Sequence, residues 1–198
     1  MNRRIPLLLL CLVLLCSCTP FSASPAMYIE PAQLNQQEAA IAKLLGAGSD
    51  HLLFDFKTDE RVQSARVQVY ELLDGAWEPL QGDGFAWTGK QGRLALGFEV
   101  VPDSLRVAIQ HGEHYSATTY TASERLDTAN TSRSTVRLAG RTELSYNQEV
   151  PLVIQTFTDR AEHRSYAPES YFTPEVFASG GFTHVYAITL RFSQQPLE

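Results

Sequence analysis

The chain has 198 residues, with 16 Lys and Arg against 22 Asp and Glu and a formal net charge of −6. Nucleic acids and anionic membrane surfaces are bound through cationic faces, so this balance argues against both as partners. All three cysteines lie at or before residue 18, so the remainder has no thiol for a disulfide, a Cys metal site or a Cys nucleophile, and stands on its hydrophobic core alone.

Residues 1–18 read MNRRIPLLLLCLVLLCSC. Arg3 and Arg4 form a positive start, residues 5–15 are uninterruptedly apolar, and a small residue and a cysteine close the stretch. This is the layout of a secretory signal, too short for a bilayer core that takes about 20 apolar residues to cross. The ending resembles the lipobox of bacterial lipoproteins: Leu15 stands three residues before Cys18 and Ser17 just before it. Cys11 and Cys16 depart from the pattern, because the large Leu10 and Leu15 precede them. The resemblance implies cleavage between Ser17 and Cys18, a diacylglycerol thioether on Cys18, and an extracytoplasmic protein anchored to the bacterial cell membrane through lipid. Two acyl chains suffice for stable anchoring, at about 0.8 kcal/mol per buried CH₂. An ordinary signal cleaved after Ala23 or Ala26, giving a freely secreted protein, is the alternative. The resemblance covers only these residues. The expected organisation is a signal peptide at 1–17, a lipid-anchored tether at 18–30 and a single β domain with a short leading helix at 31–198.

Residues 19–27 are Ser/Pro/Ala-rich and uncharged, as a tether requires. A helix follows: Asn35 can cap it, with Glu38 three residues on completing a capping box, and Leu34 and Ala39 placed for a staple. Leu34, Ile41, Leu44 and Leu45 share one face, Gly46 and Gly48 supply the stop, and a plug over an open end of the β domain is expected. From His51 the period changes to 2: Leu52, Phe54 and Phe56 alternate with Leu53, Asp55 and Lys57, then Ala65, Val67 and Val69 with Arg66 and Gln68. Asp74-Gly75 is a hairpin turn that would set Leu72 opposite Trp77. It would also set Glu71 opposite Glu78, an unfavourable pair, so a longer loop is the alternative. Leu94, Leu96 and Phe98, and then Leu105, Val107 and Ile109, continue the alternation, and Gly112-Glu113 turns the chain back. Residues 122–134 form a polar loop or a crossing between sheets. Strands resume through Val136, Leu144 and Val150, with Pro151 placing one strand's start at a sheet edge. Residues 159–181 are irregular apart from a turn where Thr173 caps Pro174 to Phe177. A strand running from Phe182 to Phe192 ends the chain. The fold class is all-β: an antiparallel two-sheet sandwich of about 8–10 strands with one short N-terminal amphipathic helix, a barrel being the second choice.

The chemistry is sparse. Residues 84–90 match a phosphate-binding loop up to Lys90, but Gln91 replaces the Ser or Thr, and a strand follows where a helix N-terminus is needed. If Gly112-Glu113 is a two-residue type II′ turn, His111 and His114 come to about 5 Å on one face, near enough to share a metal. Zinc or copper needs further ligands, and His51, His163 and His184 could join only through the fold. Solvated histidines at a hairpin tip are the plainer account. The long loop around residues 163–177 carries Tyr166, Tyr171, Phe172 and Phe177, rings suited to a sugar face or a protein hot spot. The same rings could instead seal the end of the sandwich. The functional expectation is a non-catalytic binding or accessory domain for an envelope protein or glycan, with no cofactor. A metal-binding protein or metal-dependent enzyme using His111 and His114 is the alternative.

Overall fold

The structure, a computed structural model, describes residues 27–44, 51–161 and 164–197. The expected signal peptide, Cys18, Leu45, Gly46, Gly48 and His163 lie outside them. Among the described residues the chain is mostly β, arranged as two antiparallel sheets with one α-helix. The elements are β1 (Tyr28–Pro31), α1 (Gln36–Leu44), β2 (His51–Lys57), β3 (Ser64–Leu73), β4 (Ala76–Ala86), β5 (Gln91–Phe98), β6 (Ser104–His111), β7 (His114–Thr121), β8 (Ser132–Arg137), β9 (Thr142–Glu143), β10 (Val150–Thr158) and β11 (His184–Ser193). The first sheet has the order β7-β6-β5-β2-β1-β9 and the second β4-β3-β11-β10-β8.

The period-2 residues meet between the sheets. Leu52, Phe54 and Phe56 of β2 and Leu94, Leu96 and Phe98 of β5 share one buried cluster with Val67 and Val69 of β3 and Ile188, Leu190 and Phe192 of β11. Fully burying each such side chain contributes about 1.5–3 kcal/mol. The expected hairpin registers hold. Asp74 and Gly75 both have positive φ, 51° and 83°, as a type I′ turn needs, and Leu72 faces Trp77. Glu71 faces Glu78 in this two-residue loop, and Glu71 turns to accept a close contact from His184 Nδ1 at 3.0 Å. That partner offsets the like-charge pairing.

Three features differ from expectation. The tether assigned to residues 18–30 runs into β1, where Met27 and Ile29 are buried and Tyr28–Pro31 pairs with β2 and β9. Four residues ending in proline are too short to show a period. The helix is capped as expected: Asn35 Oδ1 accepts from the N–H groups of Gln37 and Glu38, and Glu38 Oε2 accepts from Asn35 N, all at 2.9 Å. It does not plug an end of the domain; it leans over the outer face of the first sheet, beside a cavity of about 650 Å³, and leaves Ile41 58% exposed. Finally, β10 is an interior strand between β11 and β8, with Pro151 lying just before its pairing with β8 begins at Val153. The missing N–H therefore costs no ladder bond on the β8 side.

The polar stretch at 122–131 crosses from β7 in the first sheet to β8 in the second, pinned where Asp103 accepts from the N–H groups of Ala122 and Leu126. Between the sheets, buried Gln155 accepts from Val101 N at 2.8 Å and donates to Glu99 O and Thr135 Oγ1. It thereby fastens the β5–β6 turn to the second sheet while leaving none of its amide unsatisfied.

Candidate functional site

Residues 164–182 form an aromatic strap on the outer face of the second sheet. Pro168 and Pro174 start two short 3-10 turns, Pro168–Phe172 and Pro174–Phe177, where the absent proline N–H would have had no helical partner anyway. Thr173 lies between the turns and makes no side-chain cap, contrary to the capping role expected of it. The sheet beneath is apolar on its outer face too: Ile154, Val185 and Ala187 are buried, with Tyr70, Leu72 and Trp77 packed beside them. A sheet apolar on both faces requires a cover, and the strap provides it.

The rings lock one another in place. Tyr171 stacks on Trp77 with centroids 5.2 Å apart, and Trp77 Nε1 donates to Tyr171 O at 2.8 Å. Tyr70 lies 5.6 Å from Tyr171. Burial, with Tyr70 and Glu149 nearby, pushes the Tyr171 hydroxyl well above the usual phenol range. Glu149 in turn accepts from Thr189 Oγ1 at 2.5 Å and lies 3.7 Å from Arg191 Nη1. Further along, Tyr166 packs on Phe177 at 4.9 Å and on Phe182 at 5.6 Å. Of the four rings singled out in the sequence, Phe177 is 3% exposed and Tyr166 and Tyr171 are half-buried within this packing. Phe172 stands apart from them. It sits edge-on to Tyr171 at 5.5 Å and remains 54% exposed, with Val176 of the second turn also exposed. Trp77 and Tyr70 were not singled out as candidates. Their signal was the apolar outward positions at one end of each strand, Tyr70 and Leu72 in β3 and Val185 and Ala187 in β11.

His111 and His114 do close the β6–β7 hairpin opposite each other, with positive φ at Gly112 alone, as a type II′ turn has it. Their rings stack at 5.1 Å and 29°, and Trp87 packs on the other side of His111 at 4.4 Å. Burial, and secondarily the charge on His114, pushes the His111 pKa below its usual 6.5. Among the described residues no group of three or more His, Cys, Asp or Glu is placed to hold a metal ion. His184 begins β11, the central strand of the second sheet, with its Nδ1 3.0 Å from Glu71 Oε1 and 3.2 Å from the hydroxyl of buried Tyr186. It is thus far removed in topology from His111, on the other sheet. No protein-family model, no curated protein and no solved structure matches this chain.

Proposed function

We propose that this chain is an extracytoplasmic lipoprotein, anchored to the bacterial cell membrane through Cys18, whose β-sandwich is a non-catalytic binding or accessory module for an envelope protein or glycan. The observation that carries the binding reading is Phe172, an exposed ring backed by Tyr171, which is itself stacked on Trp77. An aromatic side chain held in one orientation before contact loses little further freedom on binding, and such rings dominate interface energetics. The lipobox resemblance of Leu15, Ser17 and Cys18 supports the anchor.

Cross-linking of the full chain in its native envelope tests the binding reading. Phe172→Ala should abolish a cross-linked species seen with the wild type, while thermal stability changes by no more than roughly 0.5 kcal/mol, as for other exposed positions. An unchanged cross-link pattern overturns it. The anchor is tested separately: wild type should take up labelled fatty acid and Cys18→Ala should not. A protein that takes up no label defeats the lipid anchor and leaves only secretion.

A further inference from the structure

We propose that the outer face of the first sheet is a trench for a single long-chain fatty acid, bound as its carboxylate. Strand pairing places Leu53 beside Ala95, Ala95 beside Ala108, and Ala108 beside Ala117. Directly paired residues project from the same face, so these four make one row of small or aliphatic side chains across β2, β5, β6 and β7. At a strand spacing of about 4.8 Å, the row runs roughly 14 Å. Larger groups flank it on either side: Arg93, Gln110 and Tyr115 in one neighbouring row, and Arg106 with Thr119 in the other. At its β7 end the row is bridged by the Arg106–Tyr115 hydrogen bond, which crosses between the flanking rows, while Leu53, Ala95 and Ala108 floor a cavity. Leu34, just before α1, and Ile41 and Ala42 of α1 wall its far end, and the cavity, open to solvent on one side, measures about 650 Å³. That lies within the range of about 300–1,000 Å³ typical of small-ligand pockets.

The charges in the trench set the head group and its orientation. Arg93 is already satisfied by Asp55, at 2.6 and 3.0 Å, and by Glu38 at 3.6 Å. Arg106 is different: its Nη2 donates to the neutral Tyr115 hydroxyl at 3.0 Å, and among the described residues it has no carboxylate in an ion pair. A ligand carboxylate can replace that phenol as acceptor, exchanging a neutral oxygen for an anionic one that pairs with the guanidinium charge. Glu38 at the α1 end repels a second anion, so the head lies at Arg106 and the chain runs over Ala108 and Ala95 toward Leu34 and Ile41. One cation without a carboxylate partner, Arg106, matches a ligand with one anionic head, and the proposal commits to a single-chain fatty acid. This site is on the opposite sheet from Phe172 and does not depend on the function proposed for that ring.

The test is photolabelling of the full chain with a 16-carbon fatty acid carrying a diazirine near its chain end. Label should map to peptides of α1, β5 and β6. Arg106→Gln, an exposed substitution that leaves the fold intact, should lower it about tenfold, the loss expected for one hydrogen bond to a charged group. Ala108→Trp, which fills the cavity floor, should remove it, and the methyl ester of the same probe should label as weakly as Arg106→Gln does. Three results overturn the proposal: label outside these segments, equal labelling by acid and ester, or displacement of the acid by a lysophosphatidate of equal chain length at lower concentration, which would assign the site to a lipid phosphate instead.

Discussion

On the outer face of the second sheet, rings from Tyr166, Tyr171, Phe177 and Phe182 close over Ile154, Val185 and Ala187. On the outer face of the first sheet a nine-residue helix leaves Ile41 58% exposed and a cavity of about 650 Å³ beneath it. Both sheets share one internal core, so the difference arises on the outside. β10 and β11 carry apolar side chains on both faces and cannot be left wet. β5 and β6 turn Arg93, Arg106 and Gln110 outward beside the small Ala95 and Ala108, and tolerate water there. A covered face serves stability and presents what lies on top of it, here Phe172; a partly covered face can take up a ligand without unfolding anything.

The largest expected effect breaks the covered face. Phe177→Ala removes a 3%-exposed ring from between Tyr166, Trp77 and Phe182 and should cost about 3–5 kcal/mol of unfolding free energy, the range for aromatic truncation in a core. Ile41→Ala on the other face should cost roughly 0.5 kcal/mol or less. Urea unfolding of the two variants measures both, and equal losses would refute the contrast between the faces.

How much of this was legible in the sequence follows the range of the forces involved. The Asn35–Glu38 capping box, the Asp74-Gly75 turn with Leu72 opposite Trp77, and the pairing of His111 with His114 all depend on residues within a few positions of each other, and all hold. The docking of Tyr171 on Trp77 joins residues 94 positions apart, and nothing local to either encodes it. Leu53 likewise joins the alanine row of β5, β6 and β7 only because β2, distant in sequence, pairs with β5. β1 escaped detection for another reason: four residues cannot display a period, and Ile29 is its single fully buried side chain.

A smaller effect sharpens the comparison by asking whether α1 belongs to the cooperative unit. Asn35→Ala deprives the N–H groups of Gln37 and Glu38 of their acceptor, at about 1 kcal/mol for a lost N-cap. Amide exchange in residues 38–42 should accelerate several-fold while the urea midpoint stays put, since a loosely seated element opens locally before the rest. A midpoint that falls in step with the exchange rates would place α1 inside the global transition, and the first sheet would then be as firmly covered as the second.

The smallest effect concerns acid. His111 lies between Trp87 and His114, and burial, aided by the charge on His114, holds its pKa below 6.5. The folded state therefore binds fewer protons than the unfolded one near this group. The stability that neutral His111 contributes is complete above about pH 6.5 and is lost as pH falls through the lowered value. The β6–β7 hairpin should thus loosen on mild acidification while the strap over the second sheet, held by ring stacking, does not. His111→Phe keeps a ring against Trp87 but cannot be protonated, so its urea midpoint should decline less than the wild type's between pH 7.5 and 5. If both decline equally, the acid response lies elsewhere, and the two sheets do not differ in this respect.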